Sequence, residues 1–166
     1  KKVDSGMMHL ALATKFASSE RTPTNELNRV TLGETVFKVV ASNYHPIFRD
    51  FPDTRPCVEQ LRTYAFACPS VSPFCGIKRG GGSDGWPDEK IPREIGFRCN
   101  DFSVLISLVK QGNALAYVPD FIAHQYGLRV IELCDFSHVN KEVIEVFYRP
   151  SLASGWLTRF IDSIVE

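Results

Sequence analysis

The run from Asn100 to Pro119 constrains this chain more tightly than any other part of it. Phe102, Leu105, Ile106 and Val109 recur at helical spacing, which predicts a helix over Asp101 to Gln111 with one apolar face. Asn100 or Asp101 can cap its start, because a short side-chain oxygen accepts from the first free amides. Gly112 suits the left-handed residue beyond its end. Ala114 to Val118 then reads as a buried strand, stopped by Pro119. A helix that turns straight into an apolar strand lays its apolar face on a sheet, the basic unit of a layered α/β fold.

The alternation continues on both sides. Val3 to Met8 reads as the end of a helix, with Gly6 near its stop, and Leu10 to Ala13 as a short buried strand ending at Thr14. Ser18 to Asn28 is polar and contains Pro23, the pattern of a surface connection. Glu34 to Ser42 is rich in β-branched residues and predicts a long strand. Pro46, Pro52 and Pro56 make Asn43 to Pro56 a loop with one helical turn, followed by a short helix at Val58 to Arg62. Tyr64 to Cys68 and Ile95 to Arg98 are further strands. Between them, Gly80-Gly81-Gly82 to Pro87 is expected to be the loosest segment, with Trp86 packing inside the loop. A short helix at Asp120 to Gln125 and strands at Leu128 to Leu133 and Glu142 to Tyr148 follow. The chain closes with a helix from Ser151 whose apolar face carries Trp156, Leu157, Phe160, Ile161 and Ile164. Strands alternating with helices imply α/β layers around mainly parallel strands.

Composition removes several functions. The 166 residues hold 19 basic and 19 acidic side chains, a formal net charge of zero. No run of Lys and Arg forms the basic face that a duplex-binding module needs, so this chain is not expected to grip nucleic acid by itself. No apolar stretch approaches the length of a membrane span, and Lys1-Lys2 leads into polar sequence rather than an export signal. The five cysteines, Cys57, Cys68, Cys75, Cys99 and Cys134, fit no zinc spacing and read mainly as reduced, buried thiols of a cytoplasmic protein. There is no GxGxxG, no phosphate loop and no Gly-x-Ser-x-Gly, and His9, His45, His124 and His138 show no partner pattern. No catalytic residue, metal or cofactor is therefore expected. Cys99, at a strand–helix junction, is the one nucleophile that an enzyme reading could use.

The segment Asn-Asp-Phe-Ser-Val-Leu-Ile-Ser-Leu-Val-Lys-Gln-Gly-Asn-Ala-Leu-Ala-Tyr-Val-Pro, Asn100 to Pro119, resembles the helix-Gly-strand-Pro unit of LysR-type effector domains. Other segments agree in order. Val3 to Thr14 resembles that family's helix–strand unit, with His9 where the family usually has Asp. Val36 to Pro46 resembles its crossing strand followed by His-Pro, Leu128 to Leu133 a later strand, and Val143 to Tyr148 the return crossing. The Gly-Gly-Gly-Ser-Asp-Gly-Trp stretch departs from the common pattern. The resemblance implies two Rossmann-like α/β lobes joined by two crossing strands, as in type 2 periplasmic binding proteins, with a small-molecule effector in the cleft. Residues 1–42 and 142–166 would form lobe one and 43–141 lobe two. Lobe one is expected to be incomplete, because the chain starts near that lobe's second helix. The resemblance further implies a homodimer or tetramer in the full-length regulator, and DNA contact only through an N-terminal winged helix that this chain lacks. A solute-binding protein of the same fold, or a thiol-based sensor working through Cys68 and Cys75, are the alternatives.

Open α/β sheets bind ligands beyond the carboxyl ends of their strands, often against helix N-termini. Three places meet that rule: Thr14, the run Pro69-Ser70-Val71-Ser72, and the run Asn100-Asp101-Phe102-Ser103. Pro119 is expected beside them. By resemblance these are effector-contacting positions. Asn100 and Asp101 are also caps, Phe102 also suits a core position, and the Asp101 charge would repel a carboxylate ligand.

Overall fold

The computed structural model describes residues 3, 5–16, 27–74, 76, 78, 80–138 and 140–165. The chain divides into two compact units, residues 36–140 and residues 1–35 with 141–166. The fold is mixed α/β.

In the unit of residues 36–140, alternating side chains build two cores on opposite faces of strands that belong to two sheets. Its strands are the latter part of β2 (Asn28–Ala41), β3 (Ala65–Pro69), β4 (Glu94–Cys99), β5 (Ala116–Pro119) and the two-residue β6 (Arg129–Val130). One sheet holds β2 with β5 and β6, the other β3 with β4. Val40, Ala67, Ala116 and Val118 face one side, where α2 (Phe102–Lys110) buries Leu105, Ile106 and Val109. Each such side chain contributes roughly 1.5–3 kcal/mol of burial free energy. Helix α3 (Asp120–Tyr126) adds Ile122 and Ala123 to the same core. Phe37, Val39, Phe66, Leu115 and Tyr117 face the other side. There they meet Ile47 of α1 (Ile47–Asp50), Leu61 of a 3-10 helix (Val58–Thr63), and Trp86.

The expected helix at Asp101 to Gln111 forms as α2 one residue shorter at each end. Asp101 caps it, accepting from the amides of Ser103 at 2.6 Å and Val104 at 3.4 Å. Gly112 follows with φ 78°, in the left-handed region where a Cβ would be strained.

Strand direction differs from the sequence expectation. β2 pairs antiparallel with β5 and with β6, and β3 pairs parallel with β4. β3 also joins Leu115 through a parallel bridge, with Ala67 N–H donating to the Leu115 carbonyl at 2.8 Å. Alternating helices and strands suggest parallel order only when consecutive strands pair, and here β2 takes its partners from far along the chain. The strand expected over Leu128 to Leu133 shortens to β6, and Ile131 N–H still donates to the Val39 carbonyl at 2.8 Å.

The other unit pairs β1 (Leu10–Phe16) antiparallel with β7 (Lys141–Tyr148), from Leu10 opposite Tyr148 to Phe16 opposite Glu142. β1 ends the strand order and Leu12 is 62% exposed, so the expected buried strand is a longer edge strand running through Thr14. Val3 to Met8 is turn and bend at its described residues rather than helix, closed by Gly6 N–H to the Val3 carbonyl at 3.1 Å. Helix α4 (Trp156–Val165) buries Leu157 and Ile161 against Val146. Trp156 and Phe160 lie off that face, 54% and 40% exposed, so the apolar stripe is narrower than expected. The connection expected at Ser18 to Asn28 lies mostly outside the described residues.

Candidate ligand site

β3 and β4 run side by side in the same direction and end together, Pro69 opposite Cys99. The pairing continues one step further, with Ser70 N–H donating to the Cys99 carbonyl at 2.9 Å. The loop after β3 and the turn into α2 therefore leave the sheet at one edge. That edge is the carboxyl end of a parallel pair, where α/β sheets place their ligands.

A narrow crevice of about 10 Å3, room for roughly one water molecule, opens beneath these loops. Pro69, Ser72 and Phe102, three of the residues expected from the sequence, line it. Phe37, Phe74 and Tyr117 add aromatic wall, and Pro73, Asp84, Leu105 and Val118 complete it. The rings of Phe74 and Phe102 meet edge-on with centroids 5.6 Å apart, and Phe74 and Phe37 at 6.3 Å. Phe74 also meets Phe121 at 6.1 Å. The crevice is far smaller than a ligand pocket and its wall is largely aromatic, so a ligand group enters it only if these side chains move apart.

The other expected residues take separate places. Val71 is 43% exposed, and Asn100, Asp101 and Ser103 are also exposed. Hydrogen bonds from the Ser103 side chain, then from the Ser103 and Val104 amides, hold the Asp101 carboxyl below its ordinary range. The α2 N-terminus is thus already occupied by a carboxylate, and an anionic ligand would compete with it. Pro119 is buried in β5 opposite Phe37 rather than lining the crevice. Thr14 belongs to the other unit, within β1, and its Oγ1 is buried without a hydrogen-bond partner.

Sequence reasoning missed Phe37, Phe74 and Tyr117. They come from three separated segments, and an aromatic residue on a strand or loop carries no local sign that it faces a cavity. It also misjudged the glycine-rich segment. Far from being loose, Ser83, Asp84 and Trp86 are 3%, 5% and 2% exposed. Arg93 explains this. Its guanidinium makes two parallel bonds of 2.8 Å to Asp84 and one of 2.9 Å to Asp88. It also lies 5.1 Å from the Phe66 ring centre and 5.2 Å from that of Trp86. Trp86 Nε1 donates to the Ile91 carbonyl at 2.7 Å, so Trp86 packs as the sequence suggested. Ser83 Oγ donates to the Ser70 carbonyl at 3.0 Å and ties the segment to the ligand loop. Asp84 itself lines the crevice.

The family model described as the LysR substrate binding domain matches residues 1–166. The chain belongs to this family. A probable transcriptional regulator from Pseudomonas aeruginosa superposes with TM-score 0.68 at 17% identity, over 99% of this chain and 52% of that one. Full-length CbnR bound to its target DNA gives 0.61 at 16% identity, over 99% of this chain and 54% of that one. The regulatory domain of CcmR from Synechocystis, bound to 2-PG, gives 0.65 at 12% identity, over 98% and 74%. At these identities the likeness establishes the fold. The chain spans about half the length of the first two. No curated protein sequence matches it.

The cysteines of this LysR substrate binding domain differ from the sequence expectation of reduced, buried thiols. Cys57 and Cys134 are joined in a disulfide, with Cα atoms 5.2 Å apart, and Cys134 is exposed. Their 77-residue separation hides the pairing from any spacing rule. Cys68 and Cys99 are free and buried. Burial, and then the Asp84 charge, push the Cys68 thiol far up, so it is a poor redox nucleophile. Cys75, its supposed partner, lies outside the described residues. Burial likewise raises the Cys99 thiol, which weakens the enzyme reading. The family and the regulators named above belong to transcription control rather than to catalysis. Among the described residues, no helix is long and apolar enough to cross a membrane.

Proposed function

We propose that this chain is the effector-sensing part of a LysR-type transcriptional regulator, and that a small, uncharged or aromatic group of the effector docks where β3 and β4 end, opening the narrow crevice there. The carrying observation is the shared edge of β3 and β4, with Pro69, Ser72 and Phe102 around an aromatic crevice. Ser70, Val71, Asn100, Asp101 and Ser103 would border the ligand, and Pro119 would support the wall behind Phe37. In the other unit, Thr14 is a second candidate contact through its unpartnered hydroxyl. The two units would be the family's two lobes. DNA contact would belong to a winged helix outside these 166 residues, consistent with the zero net charge here, and the full-length protein would act in the cytoplasm as a homodimer or tetramer. Ligand binding changes a regulator only through different affinity for two states, so the effector must favour one arrangement of the protein.

A thermal-shift screen of small aromatic and alicyclic compounds tests this, with Ser72→Leu as the filled-crevice variant. A compound that raises Tm in the native chain, and loses that shift in a folded S72L, supports the site. A shift that survives in S72L refutes it.

A further inference from the structure

The Cys57–Cys134 link lies in a stretch held by packing rather than by helix or strand: Ile131, Leu133 and Phe136 join the core, and Phe136 stacks on Trp86 with ring centres 4.9 Å apart. β6 ends at Val130, and residues 131–138 contain no helix or strand. The link fastens this stretch to the entrance of the 3-10 helix at Val58. Two hydrogen bonds accompany it: Cys134 N–H to the Pro56 carbonyl at 3.1 Å, and Val58 N–H to Asp135 Oδ1 at 2.8 Å. The stretch forms a wall of two surface concavities. One lies against Val36 to Val39 and includes Leu133, Phe136 and His138. The other lies between Ile131 and Glu132 on one side and Phe51 to Pro56 on the other. Cys57 is half-buried and Cys134 exposed, so dissolved thiols can reach the bond, whereas Cys68 is fully buried.

We propose that Cys57 and Cys134 are a reversible dithiol–disulfide couple that clamps residues 131–138 to the rest of the unit. Oxidation proceeds by exchange with a small disulfide such as glutathione disulfide. One protein thiolate attacks it, forming a mixed disulfide and releasing one glutathione thiolate. The second protein thiolate displaces the other glutathione and closes the Cys57–Cys134 bond. Two electrons pass from the protein sulfurs to glutathione, and the two protons lost from the protein thiols appear on two glutathione thiols. Reduction by glutathione is the reverse. Exposed disulfides that exchange in this way are the usual form in which a cytoplasmic protein carries one.

The test equilibrates the 166-residue chain in buffers of graded glutathione to glutathione-disulfide ratio, traps free thiols by alkylation, and maps peptides by mass spectrometry. The linked Cys57–Cys134 peptide should give way to the alkylated pair in one two-electron transition, while Cys68 stays unlabelled in the folded chain. C57S and C134S should lose the transition and C68S should keep it. Amide exchange over 131–138 should quicken by about tenfold or more on reduction, with α2 unchanged. A pair that never links, or that stays linked at every ratio, overturns the proposal. So does exchange over 131–138 that ignores redox state. A reduced protein that retains zinc on Cys57, Cys134 and Asp135 and resists oxidation would also overturn it, because the ligand atoms of these three lie within 4.8 Å of one another.

Discussion

Arg93→Met is the perturbation that most directly tests how the glycine-rich segment is held. The Arg93 side chain is 1% exposed and that of Asp84 is 3%, so neither charge is compensated by water. Methionine keeps the length and the apolar stem beside Phe66 and Trp86, and removes only the charge and its five donors. Asp84 would then be buried without its cation. Breaking a buried pair in this way costs about 3–5 kcal/mol, because the surviving charge keeps its desolvation penalty. For a chain of this size each kcal/mol lowers Tm by roughly 2–4 °C, so the expected drop is roughly 6–20 °C. Calorimetry and urea unfolding at neutral pH measure it. R93K should recover only part of the loss, since an ammonium cannot reproduce the two parallel bonds to Asp84. R93M combined with D84M removes both charges and should be clearly more stable than R93M alone. A loss for R93M below about 1 kcal/mol, the range of exposed ion pairs, would refute the reasoning. A double variant no better than R93M would refute it as well.

Gly82→Ala should destabilise by about 1–3 kcal/mol, the range of overpacked sites. Its Cβ would collide with the Arg93 guanidinium and stand 3.0 Å from both Cys68 Sγ and Asp84 Oδ1, so urea unfolding should show a smaller loss when G82A is placed in R93M. His45 predicts a pH dependence. Burial lowers its imidazole pKa from 6.5, against the pull of Asp50, and Nδ1 accepts from Ile47 N–H at 3.2 Å. Between the folded pKa and 6.5 the unfolded chain binds the extra proton more readily. The contribution of neutral His45 is thus complete above 6.5 and is lost as pH falls through the folded pKa. Urea unfolding over a pH series should show that acid-side loss, and H45Q should flatten it.

Local features were legible in the sequence because their causes are local. The α2 stripe, the Asp101 cap and the Gly112 stop all lie within a few residues of the structure they specify. The strand-end rule placed Pro69, Ser72 and Phe102 at one edge because it depends on topology, which the alternation of elements reveals. Pairing direction was not legible, since β1 meets β7 and β2 meets β5 across most of the chain. The Cys57–Cys134 bond and the Arg93–Asp84 pair were hidden for the same reason: each partner is ordinary in its own neighbourhood.

Gly80 to Pro87 shows what such concealment means for ligand choice. Three glycines in a row read as freedom, yet they remove side chains from the space that the Arg93 guanidinium, Cys68 and Asp88 occupy. Ser83, at φ 56°, spends its hydroxyl on the Ser70 carbonyl, and Asp84 forms crevice wall while Arg93 holds it. The shape of the crevice is therefore set partly by Arg93, which does not line it. An inward-facing carboxylate already neutralised by a buried guanidinium offers little pull to a cationic ligand, and Asp101 at the α2 terminus discourages an anionic one. What remains is aromatic surface and the Ser72 hydroxyl, so an effector group that opened this narrow crevice would meet no charge left to pair with.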